Sequence, residues 1–191
     1  MSNAAPKRRL ISLWLIIGLT VAPVAASYLA YYFWQPGHTV NYGELLEAGP
    51  LPDPKLALAD GTPFRLSQLR GKWVLVTVDS GRCDANCDGK LIYMRQLRLT
   101  QGKDRERVER VWLISDEVAP RAEVVAQYPG TWLVRAAGAG LPGLFPAQGP
   151  VSDHIYLIDP LGNLMMRYPR DPDPRRMIKD LTRLLKASQV G

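Results

Sequence analysis

Cysteine and histidine are scarce here, with two of each in 191 residues. Two cysteines exclude a disulfide scaffold and an all-cysteine zinc site. With His38 and His154 the only imidazoles, a mixed zinc site also lacks an obvious fourth ligand. Internal repeats are absent, and so is any basic patch interleaved with aromatics. The formal charge is +6, but its basic residues are split between Lys7-Arg8-Arg9 and "RMIKDLTRLLK", where Asp180 interrupts them. No nucleic-acid partner is expected. What is present reads as globular: 47% of residues are hydrophobic and 22% charged. The length suits one ordinary domain plus an appendage.

Only one long hydrophobic run occurs, "LISLWLIIGLTVAPVAASYLAYYFW", Leu10 to Trp34, and it carries no charge. As a helix rising ~1.5 Å per residue it exceeds the ~30 Å of a hydrocarbon core. Lys7-Arg8-Arg9 precede it, and Tyr28, Tyr31, Tyr32, Phe33 and Trp34 crowd its far end. The positive-inside rule therefore keeps residues 1–9 cytoplasmic and sends the rest across. Val24-Ala25-Ala26 offers a signal-peptide processing site. The apolar run continues well past it, which favours an uncleaved anchor over 10–34. The expected location is the inner membrane, single-pass, with the soluble part in the periplasm, where disulfides form.

Residues 35–54, "QPGHTVNYGELLEAGPLPDP", read as a Pro- and Gly-rich linker, with His38 a solvated member of it. The domain is expected over 55–191. A short hairpin around Asp60-Gly61-Thr62-Pro63 leads to "WVLVTV", an unbroken apolar run that fits a strand buried on both faces. Leu91, Met94 and Leu97 recur at helical spacing and predict a helix from about Ala85 to Thr100. "ERVWLIS" and "TWLVRAA" read as further strands around a short helix in "PRAEVVAQYP". "HIYLID" and "LMMRYP" form a hairpin, and "DPRRMIKDLTRLLKASQ" a closing amphipathic helix. This order predicts an α/β sandwich whose mixed sheet has parallel strands early and antiparallel ones late.

Cys83 and Cys87 fall at the carboxyl end of the "WVLVTV" strand and the start of the next helix, where sites in open α/β sheets form. Residues i and i+4 share a helix face, so the two sulfurs can converge. The helix N-terminus and Arg82 favour thiolate, the form that attacks disulfides and binds metals. Three intervening residues make a wider loop than the C-x-x-C of redox pairs. Such a loop closes a disulfide, opens around a metal, or serves as an inert staple; the spacing leaves all three open. Two thiolates and one imidazole suit Cu(I) by softness. His154, in "PVSDHIYLID", is the domain's sole histidine, with Asp153 beside it to orient the ring. A peroxidase is disfavoured, since no Thr or Pro leads into the first cysteine.

"LADGTPFRLSQLRGKWVLVTV", the C-x-x-x-C and "DHIYLIDPLGNL" together resemble the Sco/SenC family over Leu56 to Lys186. The resemblance implies a membrane-anchored, thioredoxin-like copper chaperone that assists assembly of the copper centre in cytochrome c oxidase subunit II or a similar cupredoxin-like subunit. It carries copper binding onto Cys83, Cys87 and His154. The alternative is a thiol-disulfide reductase acting on the subunit's copper-binding cysteines, with Cys83 and Cys87 as its catalytic redox pair. The chain departs from the family at Asp88, where proline usually follows the second cysteine, and at "SDEVAP", to which the family's D-P-x-R-D-T type motif is reduced.

Overall fold

The computed structural model describes residues 5–33 and 41–188. The start of the basic N-terminus and the first part of the linker, with Trp34 and His38, lie outside them. Two compact units divide the chain, residues 1–40 and residues 41–191, and each is described by itself.

Among the described residues of the first unit there is one helix, α1 (Ala5–Phe33), with Pro23 inside it. Its stretch Leu10–Phe33 has 24 residues and is long and apolar enough to cross a membrane. Thr20, a polar residue mid-helix, turns its hydroxyl back onto the carbonyls of Ile16 and Ile17 at 3.0 Å. It thus presents no unmet donor to a lipid environment.

The second unit is an eight-stranded mixed sheet with helices. Its strands are β1 (Glu44–Pro50), β2 (Leu56–Leu58), β3 (Pro63–Phe64), β4 (Trp73–Asp79), β5 (Val108–Ile114), β6 (Trp132–Arg135), β7 (Ile155–Ile158) and β8 (Asn163–Tyr168). Its helices are α2 (Ala85–Thr100), α3 (Ala122–Gln127) and α4 (Pro174–Ala187). The sheet order is β1-β8-β7-β4-β5-β6-β2-β3. As expected, β4, β5 and β6 run parallel and the β7–β8 hairpin antiparallel.

Every residue of β4 is buried, which explains its unbroken apolar run. Alternation along the strand splits the core in two. Val74, Val76 and Val78 pack with Val111, Leu113, Tyr156 and Phe145 on one face. Trp73 and Leu75 pack with Met94, Leu97, Met177 and Leu181 of α2 and α4 on the other. The helix α4 starts cleanly, because the Asp173 carboxylate accepts from the Arg175 N–H at 2.9 Å and Pro174 stands in the first turn.

The linker expected over 35–54 is corrected in its second half. Glu44–Pro50 is an edge strand paired with β8, from Glu44 opposite Arg167 to Pro50 opposite Asn163. Its Gly and Pro hide the alternation, yet an edge tolerates a residue with no N–H to give to the ladder. Just ahead of it, the buried Asp180 of α4 accepts from the N–H groups of Tyr42 and Gly43 at 2.8 and 2.9 Å.

Candidate redox and metal site

The site is built where β4 gives out. After Asp79 the chain turns through Ser80-Gly81-Arg82, and the Cys83 N–H closes that turn onto the Ser80 carbonyl at 3.1 Å. Cys83 adopts a left-handed backbone, φ 46°, a conformation that strains residues other than glycine. Asp84 then caps α2, its carboxylate accepting from the Cys87 N–H at 2.9 Å. Cys83 and Cys87 are joined as a disulfide with their Cα atoms 5.1 Å apart. The bond is inside the protein: Cys83 is 4% and Cys87 1% exposed, among Leu91, Trp112, Ile114, Val124 and Tyr128. The positive end of α2 is met here by Asp84 as well as by Arg82, so the thiol environment is less cationic than the sequence alone implies.

Gly81 is where this loop meets its support. Its N–H donates to Asp116 at 2.9 Å. A Cβ on Gly81 would lie 1.8 Å from the Val118 carbonyl oxygen. Asp116 also accepts from the Val118 N–H at 3.2 Å, and Arg121 donates to the Cys83 carbonyl at 3.5 Å. The "SDEVAP" segment therefore works as the backing of the disulfide loop. Hydrogen bonds from Ser80 and then Gly81 hold the Asp116 carboxyl below its usual range.

Beneath the disulfide lies a charge pair that pattern reading missed. Lys90 Nζ donates to Asp79 Oδ1 at 2.8 Å, with the two residues 3% and 4% exposed. The Thr77 hydroxyl donates to the other carboxylate oxygen. Burial pushes the Asp79 carboxyl up and the Lys90 ammonium down, against their mutual attraction. In sequence, Asp79 reads as the polar end of an apolar run, and no local pattern pairs it with Lys90. The only signal for the pair is a lysine between the apolar positions Cys87 and Leu91, on the buried face.

Asp88, at the position where the Sco/SenC family favours proline, accepts from the Tyr128 hydroxyl at 2.6 Å. Burial, reinforced by that carboxylate, pushes the Tyr128 hydroxyl up to about 12. The bond ties the first turn of α2 to the end of α3.

His154 stands in the extended residue that precedes β7, after a 3-10 turn at Val151–Asp153. It is buried at 7% exposure. Its Nδ1 lies 2.9 Å from the Tyr168 carbonyl, and a carbonyl only accepts, so the proton is on Nδ1 and the lone pair on Nε2. That Nε2 is buried without a hydrogen-bond partner among the described residues. Asp153, expected to orient the imidazole, instead faces Arg170 at 3.5 Å; the Tyr168 carbonyl does that work. The ring's aromatic neighbour is Tyr156 at 5.9 Å, on the core face opposite α2.

Of the three candidate ligands, the structure thus joins Cys83 to Cys87 and keeps His154 apart. No cluster of three His, Cys, Asp or Glu side chains suited to a metal occurs among the described residues. In the disulfide, moreover, neither sulfur is a thiolate. The donor set still fits a soft monovalent metal, because reduction frees two thiolates and His154 already offers an unengaged lone pair of the right tautomer.

Residues 73–188 match the family of transmembrane-like, thioredoxin-like C-terminal domains. The chain belongs to this family. No curated protein matches the sequence. Among solved structures, copper-bound Sco1 of yeast is 16% identical with a TM-score of 0.62, covering 73% of this chain and 94% of its own. BsSco, a Sco-family cytochrome c oxidase assembly protein with an identified disulfide switch, is 17% identical at TM-score 0.55, covering 78% and 95%. The thioredoxin domain of a thiol-disulfide oxidoreductase from Bacteroides vulgatus is 18% identical at 0.51, covering 73% and 99%. At these identities the likeness establishes the fold, a thioredoxin-like one shared with the Sco/SenC structures.

Proposed function

We propose that this protein carries copper as cargo in the periplasm, anchored in the inner membrane by α1, for assembly of a cupredoxin-like oxidase subunit such as cytochrome c oxidase subunit II. The thiolates of Cys83 and Cys87 take Cu(I) once the disulfide is reduced, and His154 Nε2 supplies the third donor. One observation carries this reading: a buried imidazole nitrogen with no partner among the described residues, its tautomer set by the Tyr168 carbonyl. Such an orphan asks for an explanation, and a ligand role provides one. Copper bound to yeast Sco1, which shares the fold, supports it.

The protein's own steps follow from the site. A reductant of the dithiol class breaks the Cys83–Cys87 bond, supplying two electrons, and two thiolates remain after proton loss. The Tyr168 carbonyl holds the Nδ1 proton, so Nε2 is the nitrogen that presents its lone pair. The apolar wall of Trp112, Ile114 and Val124 excludes water from the thiolates and protects a soft ion from oxidation.

A second reading has its own observation, the closed and buried disulfide itself. Here the reduced pair attacks a disulfide between the subunit's copper-binding cysteines, forms a mixed disulfide, and closes Cys83–Cys87 as two partner thiols leave. The Bacteroides oxidoreductase fold supports it. His154 is dispensable for this reaction and required for the first.

Anaerobic titration of the reduced full chain in detergent separates the two. Copper carriage predicts uptake of one equivalent of Cu(I), lost in Cys83→Ser and in Cys87→Ser. His154→Ala, which removes a donor outright, weakens it by at least the ~10–100-fold that loss of an outer-shell partner costs. No stoichiometric uptake, or an unchanged affinity in His154→Ala, overturns this reading and leaves the reductase.

A further inference from the structure

The carbonyl of Ser152, two residues before His154, is gripped twice from α2. Asn86 Nδ2 donates to it at 3.1 Å, and Lys90 Nζ donates to the same oxygen. These donors sit one residue before and three after Cys87. The 3-10 turn at Val151–Asp153 takes up the carbonyls of Pro150 and Val151, bonded by the Asp153 and His154 N–H groups, and leaves that of Ser152 to these side chains. Lys90 is itself held by Asp79 at the foot of the cysteine loop. A crevice of about 190 Å³ runs alongside, between Asn86, Lys90 and Tyr93 of α2 and Asp153 and Asp171 opposite. Among the described residues nothing else links α2 to this turn by side-chain hydrogen bonds, so the clasp is the direct polar connection between the cysteine helix and the histidine loop.

We infer that Asn86 and Lys90 are positioning residues that set where His154 stands relative to Cys83 and Cys87, and so govern how tightly copper is held. This rests on the copper reading above. Packing alone does not call for a buried ammonium on a main-chain carbonyl, since a Met of similar length would fill the space. The arrangement makes sense where the carbonyl's position matters. The clasp touches no metal donor and acts only through the loop that bears His154.

The test compares Cu(I) affinity, by competition with a chromophoric chelator, in Asn86→Ala and in the paired variant Lys90→Met/Asp79→Leu. The paired change removes both buried charges together and so keeps the fold. Each is measured with His154 intact and again in a His154→Ala background. Expected is a loss of about 10-fold or more with His154 intact and no further loss in the His154→Ala background, the signature of action through that side chain. In the metal-free protein, amide exchange over 151–154 should quicken in Asn86→Ala. Equal losses in both backgrounds, or none in either, overturn the inference while leaving copper carriage intact. Failure of the wild type to take up Cu(I) overturns both.

Discussion

Lys90→Met lowers the stability of the oxidised protein by about 3–5 kcal/mol, and Asp79→Leu added to it restores most of the loss. The single change strands the Asp79 carboxylate at 4% exposure, with only the Thr77 hydroxyl left to it. Removing one partner of a buried pair costs that much because the other charge stays desolvated. At this chain length each kcal/mol corresponds to roughly 2–4 °C in midpoint, so thermal melting reads the effect easily. The paired variant buries no charge, and such replacements are neutral or stabilising. A pH dependence follows with a definite sign. Burial raises the Asp79 carboxyl above its ordinary 3.8, so the folded state binds the proton more tightly than the unfolded chain. The wild type therefore loses stability relative to the paired variant as pH rises from 3.8 through the raised value. Lys90, lowered from 10.5, acts at the other end: the wild type regains stability as pH rises from that lowered value towards 10.5. A Lys90→Met protein as stable as wild type would mean that the pair is not buried as described.

Gly81→Ala costs about 3 kcal/mol or more and unseats the disulfide loop. An added Cβ would meet the Val118 carbonyl oxygen at 1.8 Å and its carbon at 2.7 Å. Both are main-chain atoms, so neither side chain nor rotamer can yield, and the loop or the 116–120 segment must move. Overpacking of flexible side chains costs ~1–3 kcal/mol; a backbone clash lies at or above that range. The change also breaks the geometry of the Gly81 bond to Asp116 and moves Cys83, already at φ 46°. Denaturant unfolding measures the stability, and the rate of disulfide reduction by a soluble dithiol reports the loop, with faster reduction expected. Unaltered values in both would refute the close approach.

Much of this architecture is legible from pattern. Helix α2 follows from its apolar spacing over Ala85–Thr100, and β4 from its unbroken apolar run, because burial on one or both faces dictates such periods. The cysteines' place at a strand-to-helix turn follows from those two elements. What escapes has physical reasons. Edge strand β1 carries Gly49 and Pro50 and owes its place to Asp180 and β8, partners more than 100 residues away. The Asp79–Lys90 pair depends on two polar residues being buried together, which no local period reveals. The carbonyl partner of His154 comes from the following strand, whereas Asp153 is merely its neighbour in sequence.

The bonds from Asp180 to the residues just before β1 also decide where the second unit has to begin. A chain that starts after residue 50 loses the two N–H groups that meet a carboxylate at 2% exposure. It also bares β8, converting a covered strand into an open edge that recruits other chains. The smallest self-contained soluble fragment therefore starts at or before Asn41, and protein prepared from Lys55 onward would be inclined to aggregate for reasons unrelated to copper or cysteine.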